Sequence, residues 1–400
     1  MKKSELMELI AKGENSGVEF KMDTVQPYKM AKEIVAFLNF QGGIIILGIS
    51  DDGSVQGITR PNLEEWIMSI CRDKVKPEII PFYETIELDG KIIAIINLPK
   101  GLYVQYVWHN NHRYYLIRVG STSREASVEE LQRLLQQRGQ IRIDIRPVSG
   151  ASFNDLDFQR LKNYFRDVRE QDIPPDDEVE QWQKLLINTE IMIEENGAYP
   201  SVGGLLLFGI NPSRYLPQAG ISAAAYPGIE KDYSAIEREM IHGAIVARFN
   251  EKGDILDNGL IEKALAFTRR NVPVIGYLDN GRRIDKPTFP NEVIREAIVN
   301  AIAHRDYTIS GTDIELSLYS DRLEIISPGR LPNTVTIERM KAGCRATRNE
   351  LIKEVLRDYH YIEATGLGVP RKIIKGMLQH NGKEPSLIEE EHSFILKIWK

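Results

Sequence analysis

The sequence predicts an α+β fold in three segments, 1–138, 139–285 and 286–400. Three patterns carry this. In the first segment, apolar residues at helical spacing alternate with short strand-like runs. The second begins with helical patterns and turns strand-rich. The third opens on a long helix and continues into two alternating strands, the order expected of an α+β or α/β sandwich.

Taken in order, SELMELIAKG reads as an amphipathic helix ended by Gly13. GVEFKM reads as a strand, YKMAKEIVAFLNF as a helix broken at Gly42 and Gly43, and IIILGIS as an apolar strand buried on both faces. SDDGSVQGI is a turn, and Asp89-Gly90 marks a hairpin inside ETIELDGKIIAIINLP. YYLIRVGSTSREASVEELQRLLQQR gives a strand, a turn and a helix. Beyond it, FNDLDFQRLKNYF and EVEQWQKLLI are helical patterns, DIPPDDE an exposed connector, and VGGLLLFG and AGISAAAYPG strands. FPNEVIREAIVNAIAHRDY is a helix with Asn291 as its N-cap, and DIELSLYSDRLEIISPG a hairpin around Ser320-Asp321. RMKAGCRATRNELIKEVLRDYHYIE is a basic connector that leads to Gly366-Leu367-Gly368 and a last helix.

Composition narrows the function. Hydrophobic residues make up 42%, charged residues 27%, and the net charge is −6. Nucleic-acid binding must therefore come from a local basic patch. Two cysteines without ligand-like spacing suit a reducing compartment and argue against a disulfide framework or a structural zinc. No apolar run is long enough to span a bilayer, and the N-terminus lacks a secretion-type apolar region. A cytoplasmic protein without membrane association is expected.

Glu14, Glu19 and Lys21 fall within GENSGVEFK, and Asp51 follows the next core strand. If the two strands are neighbours, three carboxylates converge on an oxygen-rich site suited to magnesium or manganese. Such a metal can activate water and neutralise a phosphate, with Lys21 on the same face as Glu19. The alternative is two turn carboxylates and a surface ion pair. GENSGVEFK, AFLNFQGGIIILGISDDGSVQGI and YYLIRVGSTSREAS, in that order, resemble the Schlafen/AlbA-like domain over nearly all of residues 1–138. That resemblance implies a nucleic-acid-binding, nuclease-like domain, with Glu14, Glu19 and Asp51 as metal ligands. Vertebrate nucleases of the family carry two such lobes, so a homodimer would supply the second. Many prokaryotic relatives are described as DNA-binding regulators.

Between residues 113 and 146 lie seven arginines, with Tyr103, Tyr114 and Tyr115 close by. Arginine interleaved with aromatics can grip phosphates and stack on bases. Arg133 and Arg138 read as a solvated helix face. Arg118 and Arg124 flank the family-like Gly120-Ser121 turn and are the expected backbone contacts.

Glu296 and Asn300, four apart, project from one helix face. Asn can ligate a magnesium that bridges nucleotide phosphates, and Glu can orient a water. SPGR and TGLG are glycine turns where backbone can approach phosphates closely. EAIVN, IISPGR and TGLGVPR resemble the boxes of a divergent GHKL-type ATP-binding domain spanning 286–400. The resemblance implies ATP contacts at Glu296, Asn300, Gly329, Gly366 and Gly368. Ser327 stands where such ATPases carry the adenine-reading aspartate. Arg305 is a candidate phosphate contact, and His304 reads as structural.

The leading expectation is a metal-dependent nuclease acting on structured, tRNA-like RNA or single-stranded nucleic acid. A nucleotide-binding domain with at most weak ATPase activity would gate it. The alternative is an ATP-responsive DNA-binding transcriptional regulator without cleavage activity. Segment 139–285 carries no motif with recognisable chemistry and reads as a mixed connecting domain.

Overall fold

Alternate residues of a strand point to opposite faces, so an unbroken apolar run needs a core on each side. The strand Gly42–Leu47 meets that demand. The computed structural model describes residues 3–138, 141–250, 252–272, 274–279, 282–331, 335–343, 347–362 and 367–400. Contacts divide the chain into two units, Met1–Ile141 and Arg142–Lys400.

The N-terminal unit runs α1 (Lys3–Lys12), β1 (Val18–Lys21), α2 (Pro27–Asn39), β2 (Gly42–Leu47), α3 (Leu63–Asp73), β3 (Val75–Lys76), β4 (Phe82–Leu88), β5 (Lys91–Pro99), β6 (Tyr106–His109), β7 (His112–Tyr114), β8 (Leu116–Val119), β9 (Thr122–Glu125) and α4 (Val128–Gln137). Its main sheet has the order β1-β2-β5-β4, with β1 parallel to β2 and the other pairs antiparallel. Ile45 and Leu47 pack with Met30, Ile34 and Phe37 of α2 and Ile67 of α3. Ile46 and Ile49 pack on the opposite side with Leu6 of α1 and Phe20. Asn39, at the end of α2, donates to the carbonyls of Gln105 and Leu116 and accepts from the Gln105 amide, clipping the smaller sheets to that helix.

In the C-terminal unit one six-stranded sheet has the order Glu237–His242, Gly220–Ala225, Ile314–Leu318, Arg322–Pro328, Ser393–Trp399, Ser386–Glu389. Gly220–Ala225 pairs in parallel with Ile314–Leu318, and the remaining pairs are antiparallel. Strands from 139–285 and from 286–400 therefore share one sheet. The expected hairpin around Ser320-Asp321 is present in register.

Three local expectations change. VGGLLLFG is mostly helix, Val202–Phe208, entirely buried and started by the Ser201 hydroxyl accepting from the Gly204 amide. A short apolar run looks the same in sequence whether it is strand or buried helix, and the cap decides. The basic connector contains the helix Glu350–Asp358, whose Leu351, Ile352, Val355 and Leu356 are buried. Helix Asn291–His304 starts after Pro290, so Asn291 is its first residue rather than its cap. No described helix is long and apolar enough to cross a membrane.

Candidate functional site

Glu19 and Lys21 lie two apart on β1 and share a face, as expected. Glu19 is 4% exposed, and a buried carboxylate is tolerated only when paired and hydrogen-bonded. One oxygen accepts from Lys21 Nζ at 2.5 Å and the other from Arg118 Nη2 at 2.6 Å. Arg118 also donates to Glu33 Oε2 at 3.2 Å and to the Asn15 carbonyl at 2.8 Å, with its guanidinium over the Phe37 ring. Glu33 accepts a further bond from Ser123 Oγ at 2.6 Å. Glu14 accepts from the Phe20 amide at 2.9 Å and lies 3.9 Å from Lys21 Nζ.

Burial pulls the Lys21 ammonium down, but the hydrogen bond to Glu19 and the charges of Glu19, Glu14 and Glu33 outweigh it, so its pKa rises. Burial raises the Glu33 carboxyl, reinforced by Glu19 and opposed by Ser123, Lys21 and Arg118. Glu33 was not expected from the sequence. Its signal is the four-residue spacing to Phe37 on α2, which sets a carboxylate on the face that Arg118 covers.

The three expected metal ligands are not brought together as a ligand set. Both oxygens of Glu19 are taken by cations, Glu14 caps the backbone at Phe20, and Asp51 is exposed in the turn after β2. Among the described residues no group of three or more His, Cys, Asp or Glu could hold a metal ion. Asp52, rather than Asp51, organises that turn. It accepts from Ser50 Oγ and from the Ser54 amide and hydroxyl, which hold its carboxyl at about 2.

Arg118 and Arg124, the expected phosphate contacts, both sit in ion pairs. The Arg118 side chain is 0% exposed, and its guanidinium is committed to carboxylates. Arg124 is half-exposed but forms a fork with both oxygens of Glu130, whose pKa that fork and the Ser127 amide lower to about 2. Arg138, expected on a solvated face, is buried against the carbonyls of Leu38 and Asn39, and burial lowers it to about 10.

Four of the expected nucleotide contacts come together. A cavity of about 390 Å³ in the C-terminal unit is lined by Glu296, Asn300, Gly329 and Gly368 together with Ser327. Asn300 Nδ2 donates to Glu296 Oε1 at 2.8 Å, and Lys372 Nζ stands 3.6 Å from Glu296 Oε2. Gly368 opens the widened, π-type turn Gly368–Ile374, and a Cβ there would lie 1.8 Å from Glu296 Oε1. Any side chain at 368 would force the Glu296 carboxylate to move. Gly329 has φ 108°, and its amide donates to the His392 carbonyl at 2.8 Å, so it shapes the wall rather than offering a free N–H.

The apolar lining comes from the sheet. Ile325, Leu396 and Leu387 form one cross-strand row, and Ser327 and Phe394 stand opposite each other two residues along on the same face. Ser327 Oγ donates to the Ala301 carbonyl at 2.9 Å, which leaves its lone pairs as acceptors. Cations come from Arg330 and from Lys353 and Arg357 of the helix Glu350–Asp358. Lys353 and Arg357 were missed, although their four-residue spacing puts them on one helix face. His304 also lines the cavity. Burial and the charges of Arg348 and Lys353 hold its imidazole down to about 4, so it is neutral at pH 7.

Arg305 is not at this surface. It is 0% exposed and donates to the carbonyls of Asp306, Ile309 and Thr312, so it braces the loop after the helix. Gly366 lies outside the described residues.

With this geometry in hand, the comparisons match two stretches of the chain to family models. Residues 14–127 match the family described as "Schlafen, AlbA_2", and residues 311–398 match "Putative ATP-dependent DNA helicase recG C-terminal". Among solved structures, the DIP2311 protein of Corynebacterium diphtheriae is 18% identical with a TM-score of 0.45, over 99% of this chain and 79% of that one. The N-terminal domain of a RecG-related protein of Nitrosomonas europaea, named as a putative ATP-dependent DNA helicase, is 20% identical with a TM-score of 0.25. That match spans 32% of this chain and 95% of that one. No curated protein matches the chain.

Proposed function

We propose that the protein binds nucleic acid through its N-terminal unit without cutting it, and holds a nucleoside triphosphate, ATP in the first instance, in the C-terminal cavity. The observation that carries this reading is the cavity itself. Its apolar wall from Ile325, Leu387, Phe394 and Leu396 suits a base, and Lys353, Arg357 and Arg330 supply charge for phosphates. A magnesium ion arriving with the nucleotide would meet the Asn300 amide oxygen, phosphate oxygens and water, the hard-oxygen set it prefers. When bound, that ion would neutralise phosphate charge.

Binding is favoured over cleavage because Glu19 is already neutralised by Lys21 and Arg118. Freeing it for a metal would strand a buried guanidinium. The nucleotide half is tested by calorimetric titration of the full chain with a non-hydrolysable ATP analogue and magnesium. Wild type should bind, and Asn300→Ala should lose most of the affinity. Equal binding by both proteins would move the nucleotide elsewhere, and no binding by wild type would end the reading.

A further inference from the structure

Directly paired residues of an antiparallel sheet share a face, and the face alternates along each strand. In the small sheet β3-β6-β7, Lys76 pairs with Tyr106, Trp108 with Arg113, and Val107 with Tyr114. Val75 and Val107 are fully buried, and Tyr114 packs against the same core. The opposite face therefore carries Lys76, Tyr106, Trp108 and Arg113. Tyr115, just beyond β7, joins it with its ring 5.4 Å from that of Tyr106. The Arg113 guanidinium lies 5.2 Å from the Tyr106 ring centroid.

Arg113, the arginine on this face, is exposed, whereas Arg118 is buried and Arg124 is paired. Trp108 is 41% exposed. None of its five positions is acidic, and Asp73, next to β3 in the chain, is taken by Arg72 at 2.8 Å. Asn110 and Asn111, with φ 49° and 57°, make a tight two-residue turn that fixes the register of β6 and β7. The aromatic rings are thus presented from paired strands rather than from a loose loop.

We propose that this face is a stacking platform for single-stranded nucleic acid, an assignment that rests on the nucleic-acid-binding reading of the N-terminal unit. Bases stack on Trp108 and on the Tyr106–Tyr115 pair, while Arg113 and Lys76 meet phosphates. A duplex offers these rings only base edges and backbone, because its base faces are already stacked. Unpaired strands expose the faces that the rings require, and stacking is indifferent to the sugar, so DNA and RNA strands both fit.

The test is fluorescence anisotropy of labelled single-stranded DNA, single-stranded RNA and the matching duplex, titrated with the full chain. Wild type should prefer both single strands to the duplex, with quenching of tryptophan fluorescence. Trp108→Ala should weaken single-strand binding about tenfold, and Trp108→Phe should restore most of it. Arg113→Gln should weaken binding to all sequences alike and reduce the salt slope by about one. Unchanged melting curves will show that the variants fold. Wild-type affinity in Trp108→Ala and Arg113→Gln, or a preference for duplex, would overturn the platform while leaving nucleic-acid binding intact. Failure of wild type to bind any nucleic acid would overturn both.

Discussion

Glu19 and Glu296 start from similar circumstances. Each is a buried carboxylate, 4% and 7% exposed, with a lysine near one oxygen. Glu19 is closed on both sides by Lys21 and Arg118 at 2.5 and 2.6 Å. Glu296 has a neutral amide on one oxygen, a lysine 3.6 Å from the other, and a cavity of about 390 Å³ alongside. The first arrangement spends its charge on holding β1, β8 and α2 together. The second keeps charge beside space. The number of cations already in contact, and the room left for another molecule, decide whether a buried acid is scaffold or site.

Glu19→Gln should separate the two carboxylates most strongly. If the pair is scaffold, the change leaves the Arg118 guanidinium buried without its main partner and should cost about 3–5 kcal/mol in a urea melt. Adding Arg118→Met should recover part of that loss, since an apolar replacement for a buried ion pair is often close to neutral. A Glu19→Gln midpoint equal to wild type would mean that the carboxylate is held for chemistry instead.

The opposite expectation applies to the cavity. ATP with magnesium, at a hundred times its dissociation constant, should stabilise the folded chain by about 2.7 kcal/mol. Scanning calorimetry should show the shift in wild type and not in Asn300→Ala. Gly368→Ala comes next in size. Its methyl would collide with Glu296 Oε1, costing about 1–3 kcal/mol as overpacking does and removing the nucleotide shift. A stable Gly368→Ala protein that binds nucleotide normally would separate the glycine turn from the site.

The smallest effect is expected at Glu33. Its folded pKa is raised, first by burial and then by Glu19. The protonated acid is therefore the form that suits the fold. The stability it contributes is present below the unfolded pKa and is lost as pH rises through the folded value. Glu33→Gln does not titrate, so its stability relative to wild type should increase across that window and level off above it. A melting difference independent of pH between mildly acidic and neutral conditions would contradict the assignment.

How much of this was legible depended on the range of the contact. The shared face of Glu19 and Lys21, the two-sided burial of IIILGIS and the Glu296–Asn300 face follow from helix and strand periodicity. The partner of Glu19 does not, because Arg118 lies 99 residues away and reads as an exposed turn arginine until β8 is placed beside α2. Helix Val202–Phe208 was missed because its seven residues are all buried, which erases the amphipathic signal. Lys353 and Arg357 were visible as a spaced pair, but only the fold turns that helix toward Glu296 and Gly368.

Whether the acidic group of the N-terminal unit is scaffold or chemistry can be read from one experiment. The most direct test incubates the purified full chain with end-labelled single-stranded RNA and DNA in manganese, magnesium or EDTA, and resolves both complexes and fragments on gels. A retarded complex and an intact strand are expected under all three conditions. Metal-dependent fragments that disappear in a folded Glu19→Gln protein would contradict it.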